Sequence, residues 1–257
     1  MRLPKISVIT VTYNDAAGLR RTLENLARVD YPTLEIVVVD GASTDGTRQV
    51  IDRFAHRIDR WVSEPDRGIY DAMNKGMALA SGDYFWFVNA GDTLFDPAEV
   101  LEIFGREDIR GDVYYGETVV IAPSGKILGL RRKKLPEHMT WRDLRRGMVV
   151  CHQSVIVARG VAPAYDLRYR YAADVAWVLE SLKRARTVVN TGLVLSVFET
   201  GGTSTRHRRE SLAERFSIMR EYFGLASTVW AHIGFAFDVF NPACRKFTGT
   251  IPASSSE

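Results

Sequence analysis

Apolar residues follow two alternating rhythms through the N-terminal part of the chain. Ile6 to Val11 and Leu34 to Val39 are continuous apolar runs, each short enough for one strand. The second is rich in valine, as expected of a parallel strand covered on both faces. Between them Leu19, Leu23 and Leu26 recur at helical spacing, predicting a helix over Ala16 to Arg28 that Tyr31-Pro32 ends. Thr47, Val50, Ile51 and Phe54 mark a second helix, and Arg60 to Ser63 a short third strand. Ile69 to Ala80 reads as a helix with Met73, Met77 and Ala80 on one face and Gly82 as its C-cap glycine. Tyr84 to Val88 is again strand-like. Such β-α alternation predicts a mostly parallel sheet with helices on both faces.

Beyond Asp92 the pattern becomes mixed. Ala98 to Phe104 reads as helix, Val113 to Ile121 as strand, and Pro123-Ser124-Gly125-Lys126 as a hairpin turn. His138 to Gly147 is predicted helical, Gln153 to Ala158 a strand, Asp174 to Arg184 an amphipathic helix, and Thr187 to Phe198 one or two strands. Leu212, Phe216, Met219 and Phe223 form an apolar stripe on a late helix, and Ile251 to Glu257 reads as a frayed tail. The expected organisation is one α/β domain over 1–204, with a nucleotide-binding half at 1–95 and a second half at 96–204. A helical extension covers 205–257.

Bulk composition narrows the classes. Of 257 residues, 46% are apolar, enough for one large core. The net charge of +3 gives nucleic-acid binding no global electrostatic support. Basic residues do cluster locally, at Arg131 to Lys134 with Arg142, Arg145 and Arg146, and from Arg206 to Lys246. Two readings stay open for these runs: solvated surface, or attraction to anionic lipid or phosphate. The aromatic stretch Thr228 to Phe240 is too short to span a bilayer, so it reads either as an interfacial helix or as one packed on the domain. Cys151 and Cys244 lack metal or disulfide spacing, and Cys151 is given no chemical role. With no apolar leader, the expected location is the cytoplasm, with peripheral contact at the inner face of the membrane open.

Candidate chemistry gathers where apolar runs end in polar turns, which is where an α/β sheet presents side chains to ligands. Asp40 ends the valine run. Asp45 and Thr47 are better placed to serve the following turn, which leaves Asp40 for a ribose hydroxyl or a base N–H. Tyr13 and Asn14 follow the first strand, and the tyrosine is either a base-stacking ring or a cover for the sheet edge. Asp92, in Asn89-Ala90-Gly91-Asp92, suits a divalent cation bridging two phosphates, because Mg²⁺ and Mn²⁺ favour oxygen ligands. Asp96 is the better cap for the next helix. Asp174 opens a helix whose dipole favours the carboxylate anion; it reads either as a general base or as an N-cap. His152 taken alone is most simply a satisfied structural histidine.

Four blocks in order, Val39 to Thr47, Asp66 to Gly76, Cys151-His152-Gln153 and Tyr169 to Asp174, resemble the family-two glycosyltransferases over about residues 5 to 200. The likeness is closest to bacterial members that build exopolysaccharide, lipopolysaccharide or glycolipid sugars. It implies a GT-A fold and inverting transfer from a nucleotide-diphosphate sugar to a lipid-linked or saccharide acceptor. It also implies that the backbone around Val11 and the ring of Tyr13 bracket the base, that Asp40 binds base or ribose, and that Asp71 and Asn74 lie in a block closing over the donor. Arg67, Asn89, Gly91, His152 and Gln153 join the donor site on the same ground. Asp92 matches the last residue of the metal motif, for Mn²⁺ or Mg²⁺, and Asp174 the presumed base. Two departures stand out: Asn89 and Gly91 occupy positions that are often acidic, and Ala173 precedes Asp174. The alternatives are a non-catalytic nucleotide-sugar-binding module, which the thinned metal motif favours, and a sugar nucleotidyltransferase. The second lacks its glycine-rich basic loop at Thr12-Tyr13-Asn14-Asp15.

Overall fold

A computed structural model describes residues 3–105, 110–200, 207–238, 245–247 and 249. The first strand, β1 (Ile6–Thr12), lies between β2 (Leu34–Asp40) and β4 (Tyr84–Phe87), parallel to both, and β2 pairs in parallel with β3 (Arg60–Ser63). Helices α1 (Ala16–Leu26), α2 (Thr47–Arg53) and α3 (Ile69–Leu79) make the crossovers. A second set extends the sheet: β5 (Thr93–Leu94), β6 (Val113–Ile121), β7 (Ile127–Leu130), β8 (Val155–Ala158) and β9 (Val188–Glu199). The described order is β3-β2-β1-β4-β8-β6-β9-β5, with β7 on β6. Here β8 runs antiparallel to β4 and β6, whereas β9 runs parallel to β6. The chain therefore leaves β1 toward β2 and β3, then returns on β1's other side as β4. That reversal opens a crevice at the carboxyl ends of β1 and β4.

Burial follows the two-residue period of the strands. Ile9, Val11, Val37 and Val39 face a core shared with Met73 of α3 and with Trp177 and Val178 of α5 (Ala173–Arg184). Val8, Ile36 and Val38 face the opposite core, with Leu19, Leu23, Ile51 and Phe104. Each fully buried side chain of this size stabilises the fold by about 1.5–3 kcal/mol.

Several expectations shift in detail. The stretch around His138 to Gly147 forms only a 3₁₀ turn, Trp141–Arg146. A 3₁₀ turn at Pro97–Glu99 runs into α4 (Val100–Gly105), and Asp96 caps it through Ala98 N at 2.9 Å. Gly82 is not a C-cap. Ala80 ends α3 in an extended conformation, while Gly82 lies so close to β1 that a Cβ would meet Ser7 Oγ at 2.5 Å. Close approach, not a left-handed turn, requires this glycine.

At the amino end of the sheet one charge is buried. Glu35 accepts from Ser7 Oγ, Ser81 N (2.7 Å), Ser81 Oγ (2.6 Å) and Lys5 Nζ (3.0 Å). Burial pushes its pKa up, but the hydrogen bonds from Ser7, Ser81 and Lys5 win and bring it down to about 2.

The C-terminal segment forms α6 (Arg208–Phe223) and α7 (Leu225–Asp238). Helix α6 packs on the domain: Ile218 is fully buried in the α3/α5 core, and Phe223 stacks on Trp141 with ring centroids 5.3 Å apart. The predicted stripe holds at Met219, but Leu212 is 47% exposed. Arg206, Phe240, Cys244 and the tail from Ile251 lie outside the described residues. No helix among the described residues is long and apolar enough to cross a membrane.

Candidate active site

The turn after β4 presents Asp92. Buried Thr22 of α1 holds this turn through its hydroxyl, which donates to Asp92 O at 2.7 Å and accepts from Gly91 N at 3.1 Å. Gly91 has φ +93°, a left-handed conformation that explains why glycine stands where an acidic residue is often found. Gln153 Nε2 donates to Asp92 Oδ2 at 2.9 Å, while Trp86 Nε1 donates to Gln153 O at 2.8 Å and fixes the residue. Burial pushes the Asp92 carboxyl up to about 7; the Gln153 hydrogen bond and the Arg21 charge oppose this, and the Glu199 charge adds to it. Glu199 ends β9 and pairs with Arg21 at 3.7 Å.

In the same turn, three residues before Asp92, Asn89 Oδ1 is buried without a hydrogen bond among the described residues. A carboxyl with few donors and an oxygen acceptor lacking one, both in a single turn, suit a hard divalent cation. No three His, Cys, Asp or Glu side chains cluster among the described residues, so such an ion would draw its remaining ligands from phosphate oxygens and water.

The β1 and β2 ends form a laced rim. Asn14 takes a left-handed φ of 50°; its amide N–H donates to Ser43 Oγ at 2.7 Å, and its Oδ1 accepts from Thr44 N at 2.8 Å. Tyr13 beside it is 66% exposed, free to offer its ring. Val11 is buried, and its carbonyl accepts from Ala90 N at 3.1 Å, which ties the end of β1 to the turn after β4. Asp45 does serve the turn, accepting from Ala16 N and Thr47 N. Asp40 is not left free, however. It is fully buried and holds Ser43 N, Ser43 Oγ and Ser63 Oγ, the last at 2.6 Å. Its valine-run position buried the carboxylate, and Ser43 of the turn with Ser63 at the end of β3 satisfied it.

Asp174 stands in the first turn of α5 and accepts from the Tyr70 hydroxyl at 3.1 Å. It is not an N-cap. The amides before the helix, Arg170 N, Tyr171 N and Ala172 N, donate instead to Glu214 of α6 at 2.7–2.9 Å. Beneath lies an aromatic floor in which Tyr165 stacks on Tyr70 and Trp177, with centroids 5.5 and 5.2 Å apart. Burial pushes both the Tyr70 and Tyr165 phenols up, and the negative charge of Asp174 adds to it, so both stay protonated.

Other predicted site residues support the walls. Asn74 braces the wall: its Nδ2 donates to Tyr165 O at 3.0 Å and its Oδ1 accepts from Tyr165 N at 2.8 Å, which leaves one N–H of the amide for another partner. Arg67 and Asp71 form an i,i+4 ion pair at 3.0 Å; the Arg67 hydrogen bond holds the Asp71 carboxyl below its usual range. His152 is buried, 2.6 Å from Tyr165 Oη, and burial brings it down to about 4, so it is neutral. The structural reading of this histidine therefore describes it. Through His152 and Gln153, two consecutive residues, the Tyr70–Tyr165–Asp174 group meets Asp92. Sequence reading missed Glu214 and Glu199, which lie far along the chain from the motifs and follow no spacing rule. A cavity of about 190 Å³ between α5 and α6, lined by Trp177, Glu180, Glu221 and Tyr222 among others, contains none of the predicted site residues.

With this geometry in hand, likeness to known proteins becomes informative. The sequence matches the family described as Glycosyl transferase family 2 over residues 7–159. It is 32% identical over 215 residues to an uncharacterised glycosyltransferase of Mycobacterium tuberculosis (strain ATCC 25618 / H37Rv), covering 81% of this chain and 79% of that protein. A PGL/p-HBAD biosynthesis glycosyltransferase of Mycobacterium bovis (strain BCG / Pasteur 1173P2) is 33% identical over 187 residues, 68% of each. Among solved structures, S. aureus TarS 1–349 in complex with UDP aligns with a TM-score of 0.64 at 19% identity, over 84% of this chain and 64% of that one. The mannosyltransferase PcManGT from Pyrobaculum calidifontis, in complex with GDP-Man and Mn²⁺, aligns with a TM-score of 0.60 at 19% identity, over 99% and 79%. At such identities these structures bear on the fold.

Proposed function

The chain belongs to glycosyl transferase family 2 and carries the GT-A fold, and from that premise we propose that it moves a sugar from a nucleotide-diphosphate donor to an acceptor hydroxyl by a single inverting displacement. One observation carries this reading: contacts run from Asp92 through Gln153 and the adjacent His152 to Tyr165, which stacks on Tyr70, the hydroxyl donor to Asp174. Asp174 takes the proton from the acceptor hydroxyl as that oxygen attacks the anomeric carbon. The Tyr70 hydroxyl orients the carboxylate, and the helix start favours its charge. Tyr13 covers the base, and Asp40 shapes the rim through Ser43 and Ser63. Asp92 with Asn89 Oδ1 would hold Mn²⁺ or Mg²⁺, and the ion would supply positive charge to stabilise the leaving diphosphate. The complexes of TarS with UDP and of PcManGT with GDP-Man and Mn²⁺ support this donor class.

In this reading the acceptor is a lipid-linked or saccharide hydroxyl, a choice supported by the mycobacterial PGL relative. Residues 1–204 are then the catalytic domain and 205–257 its extension. Exposed Leu225, Val229 and Trp230 (76%) on α7, with exposed Arg208, Arg209 and Arg220 on α6, support peripheral contact with an anionic membrane. Flotation with anionic and neutral liposomes tests that contact; equal recovery at low and high salt defeats it. For the reaction, a thermal-shift screen of nucleotide diphosphates and their sugars with Mn²⁺ comes first, followed by mass-spectrometric detection of transfer. A protein indifferent to every nucleotide sinks the donor reading.

A further inference from the structure

The late helix α6 brings a second basic element to the cleft. Glu214 clamps the amides of Arg170, Tyr171 and Ala172, and Ile218, one helical turn on, is fully buried in the core that also contains Tyr70, Tyr169, Ala172 and Ala173. Arg215 lies three residues before Ile218, on the same helix face. Its side chain is thus carried toward the Tyr70–Asp174 pair, and its positive charge acts on the Tyr70 hydroxyl. Arg215 Nε is buried and makes no hydrogen bond among the described residues. A guanidinium donor withdrawn from water without an acceptor is costly, and a planar fork of this kind suits the oxygens of phosphate.

We propose that Arg215 is a phosphate-binding residue of the cleft, supplied by α6, and that it receives an anionic oxygen of the donor diphosphate or of a phosphate carried on the acceptor. The proposal depends on the transferase reading for the identity of the cleft, though not for the binding itself. Helix α6 is then part of the site: Glu214 fixes the segment that presents Asp174, and its neighbour Arg215 meets the ligand.

The test uses the full chain as wild type, Arg215→Gln and Arg215→Lys. Calorimetry with Mn²⁺ compares UDP and GDP with uridine and guanosine, and thermal shift compares inorganic phosphate with methyl phosphate. Arg215→Gln is expected to bind the phosphate-bearing probes at least about tenfold more weakly, with Arg215→Lys between it and wild type. Its melting temperature in the absence of ligand is expected at or above that of wild type, because an unpaired buried donor has been removed. Loss confined to the nucleoside diphosphates assigns Arg215 to the donor; loss confined to methyl phosphate assigns it to the acceptor. Equal binding by wild type and Arg215→Gln overturns the proposal, as does a wild type that ignores every phosphate probe. A wild type that binds inorganic phosphate but no nucleotide sinks the donor reading and leaves Arg215 standing.

Discussion

The two ends of the central sheet treat a carboxyl group in opposite ways. At the amino end, Glu35 is buried yet surrounded by donors from Lys5, Ser7 and Ser81, and its pKa is brought down to about 2. At the carboxyl end, Asp92 has one side-chain donor among the described residues, Gln153, and burial pushes it up to about 7. Asn89 Oδ1 in the same turn lacks a donor among the described residues. A satisfied buried charge supports the fold; an undersatisfied one is a place for something that arrives from outside. Asp40, also at the carboxyl end but held by Ser43 and Ser63, sides with Glu35, so the contrast lies between satisfied and undersatisfied groups.

Substitutions sharpen that contrast. At the carboxyl end, Asp174→Asn should slow transfer by about 10²–10⁴-fold, the range for loss of a general base, while calorimetry shows unchanged nucleotide binding. Turnover near wild type removes Asp174 from that role. Asp92→Ala should abolish Mn²⁺-dependent enhancement of nucleotide affinity, and Gln153→Leu should weaken it roughly 10–100-fold as an orienting partner does. Affinity equal with and without Mn²⁺ in wild type breaks the metal side of the contrast. At the amino end, Glu35→Gln should cost on the order of 1–3 kcal/mol in urea unfolding at pH 7, with transfer per folded molecule unchanged.

The smallest effects are those of pH, and their signs differ between the ends. The pKa of Glu35 is lowered on folding, so its stabilisation is complete above the unfolded value of 4.5 and is lost as pH falls toward 2. That of Asp92 is raised, so its contribution is complete below the unfolded value of 3.8 and is lost as pH rises through about 7. Metal-free Asp92→Asn should therefore lose less stability than wild type between pH 4 and pH 8 in a urea series. Parallel curves would show that Asp92 does not titrate as its surroundings dictate.

The sequence was most informative where local rules act alone. Apolar runs and helical spacing located β1, β2, β3 and α1 closely, since strand burial and helix faces repeat over a few residues. The four blocks pointed to the family. Spacing could not show which polar side chains were already occupied. Asp40 is held by Ser63, Asn74 by the backbone of Tyr165, and His152 by Tyr165 Oη.

By itself, then, the order of residues determined an α/β domain with a parallel N-terminal half of the sheet, and the family its motifs suit. Only the tertiary structure decided that Glu214, forty residues beyond Asp174, caps the segment before it, that Gln153 meets Asp92, and that Arg215 turns inward without a partner among the described residues. The physical reason is range. Hydrophobic periodicity and turn chemistry are written in neighbouring residues, whereas hydrogen-bond satisfaction depends on whichever distant element packs across the gap.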